Sequence, residues 1–203
     1  MYPSETGCIQ CAKAFFELLQ EEDPSKIILS FDCEKNIALS RLPDQSIYYL
    51  RQFYMFNITI VNGNSKNNLG PGNVTSYMWT ENGFQKDANM IASCVFDYLN
   101  SLNRTDYTTL CPVSDGCGGQ NKNSVMICML MKWFGQYAPQ IIESIELVFL
   151  VAGHSYIPPD KVFGLIERDI KKQEVIETRE EIHNLVSKHS TVKEVSKGTI
   201  SHY

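Results

Sequence analysis

The chain has 203 residues, is 43% hydrophobic and 11% aromatic, and carries a formal net charge of −5. That length and apolar content suit one domain with a buried core. The acidic balance argues against a strongly basic nucleic-acid binder, since phosphate affinity comes mainly from Lys and Arg, although it leaves a local basic face open.

No run of about 18 apolar residues occurs, so no membrane span is expected. The opening residues, MYPSETGCIQC, lack the basic start and apolar centre of a signal peptide. The seven cysteines are therefore expected as thiols in a reducing compartment. Residues 1–25 read as a separate N-terminal remnant, with a helix-like stretch AKAFFELLQEE stopped by Asp23-Pro24. Cys8 and Cys11 have the spacing of half a zinc site, but zinc takes four ligands and no second pair follows.

KIILSFD (26–32) is an apolar run too short for a helix and reads as a strand buried on both faces. Turn signals fill residues 33–50. QFYMFNITIV (52–61) and VTSYMWTE (74–81) are aromatic and β-branched, hence strands, joined through NGNSKNNLGPG as a hairpin. Residues 86–103 repeat apolar groups at Ala88, Ile91, Ala92, Val95, Leu99 and Leu102, which predicts a helix with one buried face. TTLCPVS (108–114) is a short strand that reaches Asp115. Residues 120–137 are apolar almost all round, which predicts a buried helix with Met126, Met129, Met131 and Trp133 as core. IELVFLVA (145–152) is a further strand. Pro158-Pro159 opens a helix over 159–172, because proline suits a first turn. Residues 173–203 read as a charged tail: one solvated helix over 174–188, then little order.

The resulting order, β-β-β-α-β-α-β-α, predicts one α/β domain over 26–172, with a mixed sheet, helices on both faces and the first strand central. By analogy this is the order of the ribonuclease H-like fold.

In open α/β sheets, chemistry gathers at strand ends. Asp32 and Asp115 each close a predicted strand, and GHSYIPPDKVFGLIE, just past the last strand, adds His154, Asp160 and Glu167. Carboxylates so grouped suit two-metal phosphoryl chemistry, with oxygen ligands for Mg²⁺ or Mn²⁺. The glycines after Asp115 would allow close approach of backbone and substrate. Asp160 and Glu167 are seven residues apart, so they share a helix face but lie about 10 Å apart along its axis. Asp160, nearer the strand end, is the preferred third acid and Glu167 the fallback. His154 reads equally as a proton-transfer group or as a loop residue bonded to a carbonyl. Asp115 has a plainer reading too, as part of a capped turn with Gln120 and Asn121 capping the following helix. Cys111 and Cys117, which flank Asp115, read as buried thiols. ERDIKKQE is a solvated face on which Arg168, Lys171 and Lys172 could touch phosphates.

The blocks SFDCEKN with YYLRQFYMFN, SDGCGGQNKN, and GHSYIPPDKVFGLIE, in that order, resemble transposase-like proteins of animal, mainly arthropod, genomes. The similarity spans residues 26–190 or so. It implies a DDE/D catalytic core with Asp32, Asp115 and Asp160 (or Glu167) as acids, Mg²⁺ or Mn²⁺ as cofactor, DNA as partner and a nuclear location, with homo-oligomers possible. Such relatives carry a longer cysteine- and histidine-bearing region before the first acid. Here fourteen residues separate Cys11 from KIILSFD, so the chain is expected to be shortened at its front and to lack a DNA-binding domain. A second reading follows, of an inactive, co-opted remnant serving as a binding module. A third, a secreted glycoprotein, rests on the sequons at Asn57, Asn73 and Asn103 and on the cysteines.

Overall fold

The computed structural model describes residues 23–39, 53–63, 68–102, 106–150, 157–196 and 199. They form an α/β fold on one mixed sheet. In chain order the elements are β1 (Lys26–Cys33), β2 (Ile37–Leu39), β3 (Phe53–Asn62), β4 (Val74–Thr80), α1 (Ala88–Ser101), β5 (Thr109–Asp115), α2 (Ser124–Gln136), β6 (Ser144–Ile145), β7 (Val148–Leu150), α3 (Pro158–Lys171), α4 (Arg179–Val186) and β8 (Thr191–Glu194). The sheet order is β6-β5-β1-β3-β4-β8, with β2 also on β3 and β7 also on β5. The pairs β1/β3, β2/β3 and β3/β4 are antiparallel. The pairs β1/β5, β4/β8, β5/β6 and β5/β7 are parallel. The apolar run of β1 is central, as its burial on both faces predicts.

Alternation along the strands divides the core between the faces. Ile27, Leu29 and Phe31 of β1, with Phe56, Ile58 and Ile60 of β3, point to α1 and α2. Met55 and Val61 of β3 and Met78 of β4 point the other way, to Val162 and Ile166 of α3 and to Ile182, Leu185 and Val186 of α4. Ile28, Cys111 and Val113 continue that second face beneath Ile157, at the start of α3. Helices therefore cover both faces.

Three expectations are corrected. The strand predicted over 145–152 is two short pieces, β6 and β7, on one register: Thr109 pairs with Ser144 and Val113 with Val148. The interruption falls beside Pro112, which has no N–H to give to the ladder. The helix over 120–137 starts later, at Ser124, and is not buried all round. Met126, Met129, Leu130 and Trp133 are buried, but Met131 is 69% exposed and Ile127, Phe134 and Tyr137 are exposed as well. This helix lies in an outer layer, where its main helical neighbour among the described residues is α1, so one side of it is left to solvent. The tail does not dissolve after 188. Ile176, Ile182, Leu185 and Val186 enter the second core, and β8 joins the sheet edge parallel to β4. Lys193 on β8 ties this edge to α1 and β4 by bonding Asp97 at 2.9 Å and the Tyr77 hydroxyl at 3.1 Å.

Candidate acid site at the strand ends

Asp32 and Asp115 come from neighbouring parallel strands. The β1/β5 register pairs Ser30 with Val113, and two residues further on it sets Asp32 beside Asp115, on strands about 4.8 Å apart. Both side chains fall on the α3 face, because Ile28 on β1 and Cys111 and Val113 on β5 share their parity and pack there. Asp160 sits in the first turn of α3 over this edge.

The electrostatics show the same grouping. Burial raises the Asp32 carboxyl to about 7 against the Cys33 N–H, which favours the anion; the charges of Asp115 and Asp160 push it further up, and Lys86 opposes them. Burial also raises Asp160, and Asp115 adds to the rise. Glu167 pairs with Lys171 at 3.3 Å on the helix surface, and its charge acts on Glu34, two residues beyond Asp32. Two turns of helix separate the two acids of α3, as their spacing requires. His154, Cys8 and Cys11 lie outside the described residues.

Each carboxylate is held locally. Asp32 Oδ1 accepts from the Cys33 N–H at 2.7 Å. Asp115 Oδ1 accepts from Asn121 Nδ2 at 2.5 Å and from the Cys117 N–H at 3.2 Å. Asp160 Oδ2 accepts from the Ile157 N–H at 2.8 Å, fastening the start of its own helix. So placed, the three do not close on one point. Among the described residues, no group of three His, Cys, Asp or Glu is assembled to hold a metal ion. The donor chemistry nevertheless suits a hard cation. The carboxylates offer only oxygen, and the buried Ser30 Oγ and Asn121 Oδ1 have no hydrogen-bond partner among the described residues.

The loop after Asp115 corrects the capping expectation. Asn123, not Gln120 or Asn121, caps α2, accepting from the Met126 N–H at 3.0 Å. Gly118 and Gly119 leave room for an added Cβ, so the packing of the chain itself does not require glycine there.

The sequence reading assigned no part in the site to three neighbours and gave a fourth a different one. Glu34 is 2% exposed and bonds Asn57 Nδ2 at 2.7 Å. Burial lifts it to about 7, against the Asn57 bond, with the Glu167 charge adding to the rise and Lys86 lowering it. Asn57 is itself fully buried, so its sequon is closed to a glycan. Lys86 Nζ donates to the Glu34 carbonyl at 2.7 Å and lies 5.9 Å from the Phe56 ring centroid. The fourth is Asn121, in its contact with Asp115. A signal existed for two of them. Glu34 follows Asp32 by two, so period-two alternation continues its face, and Asn57 is a polar residue in an otherwise apolar strand. Nothing local marks Lys86.

Among the described residues, Cys33, Cys94, Cys111, Cys117 and Cys128 form no disulfide. Among the described residues, no helix is long and apolar enough to cross a membrane. The chain matches no curated protein and no solved structure. A family profile matches residues 59–202, from within β3 past β8, so that it takes in Asp115 and Asp160 but not Asp32. The chain belongs to the family described as a domain of unknown function, DUF7869.

Proposed function

We propose that this chain is a ribonuclease H-like, DDE/D-type catalytic domain of transposon origin that cuts or joins DNA phosphodiesters, with Asp32, Asp115 and Asp160 as its acids. The observation that carries the reading is the gathering of these three, from two parallel strands and a helix start, at one sheet end and on one face. The order β4-β3-β1-β5-β7, antiparallel on one side of β1 and parallel on the other, supports the fold assignment.

Bound Mg²⁺ or Mn²⁺ would supply charge to activate the attacking oxygen, from water or a DNA 3′-hydroxyl, and to stabilise the leaving one. The chain's own residues would hold that charge in place. Asp32 and Asp115 would do so from neighbouring positions on two parallel strands, with Asp160 approaching from the start of α3. Lys86, and Lys122 whose Nζ lies 5.9 Å from the Phe149 ring, would draw the phosphate backbone to an otherwise acidic edge. DNA as partner, nuclear placement and a possible homo-oligomer follow from this reading. The inactive binding-module alternative draws on one observation, that the Asp160 carboxylate is spent on its own helix.

Asp115→Asn decides between them. It removes a negative ligand at almost constant volume. The expected outcome is loss of Mg²⁺-dependent nicking of supercoiled DNA, with an unchanged circular dichroism spectrum. Equal nicking by wild type and variant removes Asp115 from the chemistry, and a wild type inert with both metals favours the binding module.

A further inference from the structure

Asn121 is fully buried in the loop between Asp115 and α2. Helix capping does not account for it, because Asn123 does that work. Its amide nitrogen bonds Asp115 Oδ1, and the Cys117 N–H bonds the same oxygen. Asp115 Oδ2 is thereby the oxygen offered to other partners. The Asn121 carbonyl oxygen is also buried, and it has no hydrogen-bond partner among the described residues.

An orphaned acceptor of this kind is costly and uncommon. Turning the amide over brings no relief, because an ionised Asp115 only accepts hydrogen bonds, and the turn would set two oxygens against each other. The orphan oxygen shares a carbon with the donating nitrogen. It therefore lies within roughly 5 Å of Asp115 Oδ1. As the loop is packed the oxygen is closed to water, so a water reaches it only where the loop parts around an incoming ion.

We propose that Asn121 is a positioning residue of a divalent-cation site on Asp115: its amide N–H fixes the carboxylate, and its orphaned carbonyl oxygen accepts a hydrogen bond from a water carried by the cation. The inference rests on the metal-dependent reading above. Mg²⁺ gives up its waters reluctantly, so a hydrated ion needs such acceptors around it. Groups that orient a metal's ligands typically set affinity by about 10- to 100-fold.

The test uses the full chain and Mn²⁺ alone, with affinity from calorimetric titration and melting temperature measured with and without the ion. The variants are Asp115→Asn, Asn121→Leu and Asn121→Asp. Asn121→Leu keeps the volume but neither polar atom, and it should bind Mn²⁺ about 10- to 100-fold more weakly than wild type. Asn121→Asp keeps the acceptor but sets two carboxylates in contact. It should be the least stable of the three without metal and yet bind Mn²⁺ more tightly than Asn121→Leu. A purely structural Asn121 makes affinity follow metal-free stability, and that ranking overturns the proposal. So does a wild-type affinity in Asn121→Leu, the result expected if an ordinary buried water satisfies the carbonyl. If Asn121→Asp does not fold, the comparison of Asn121→Leu with wild type still decides. If wild type and Asp115→Asn bind Mn²⁺ alike, it is the metal reading itself that fails, which separates the two failures.

Discussion

Glu34 is the residue whose behaviour departs furthest from what its type suggests. It lies two positions beyond Asp32, is almost wholly enclosed, and bonds Asn57 across the β1/β3 boundary. Its folded-state value is about 7 against a reference of 4.5, chiefly through burial. The unfolded chain thus releases this proton near 4.5 and the folded chain only near 7. The group's contribution to stability is full below about pH 4.5 and is lost as pH rises through 7. Two to three pH units correspond to about 3 kcal/mol. Glu34→Gln removes the charge and keeps an acceptor for Asn57. Denaturant unfolding in EDTA should find the variant more stable than wild type at pH 8 by up to that amount, with the gap closing towards pH 4.5. A constant gap at all pH values would show that Glu34 titrates alike in both states. Asp32 is raised to a similar value by burial first and by the charges of Asp115 and Asp160 after it. It adds to the wild-type slope, so the difference between the two curves, not either curve alone, isolates Glu34.

At the scale of elements, α2 separates two kinds of methionine. Met129 is fully buried against the core with α1, where Trp133 Nε1 also bonds Asn100 Oδ1 at 3.1 Å. Met131, two positions on, is 69% exposed. The helical turn of 100° per residue carries the two to nearly opposite sides. Met131→Lys should change unfolding free energy by no more than about 0.5 kcal/mol, as surface substitutions do. Met129→Lys forces a charge into an apolar layer, should cost more than about 4 kcal/mol, and should leave little folded protein. Equal effects would mean that α2 is rotated about its axis from the orientation described. The same element shows why its capping residue is easily misassigned. Three polar residues, Asn121, Lys122 and Asn123, precede the helix, and composition does not say which of them turns to the backbone.

For the whole molecule, the segment after Lys172 is part of the fold. Ile176, Ile182, Leu185 and Val186 fill the face opposite α1 and α2. His189 and Lys172 both bond Asp169, at 2.9 and 2.7 Å, which ties the end of α4 to α3 and holds the Asp169 carboxyl down at about 2. Burying four aliphatic side chains is worth about 1.5–3 kcal/mol each, a sum comparable with the entire stability of an ordinary domain. Deletion of residues 173–203 should therefore abolish cooperative thermal unfolding. A truncated chain that melts within a few degrees of the full one would show the second core to be dispensable.

The sequence by itself determined the elements that rest on local pattern. Short apolar runs closed by turn residues marked β1, β3, β4 and β5, the helical repeat marked α1, and Pro158-Pro159 marked the start of α3. Those runs also set Asp32 and Asp115 at strand ends, and with the helix start they named the three acids that come to one edge. The tertiary structure alone decided what depends on neighbours distant in the chain. The break between β6 and β7 is written on another strand, at Pro112. The exposure of Met131 depends on how many elements pack around α2, and a uniformly apolar helix has no pattern from which to read it. β8 forms because β4 offers an open edge and Lys193 finds Asp97 and Tyr77; charged composition alone reads there as tail. The direction of Asn121 likewise comes from a partner six residues away, and the raised Glu34 from burial that the packed chain imposes against its bond to Asn57. Periodicity fixes which side of an element a residue faces, but only the packed chain fixes what stands opposite, and burial, charge and hydrogen bonding are set by what stands opposite.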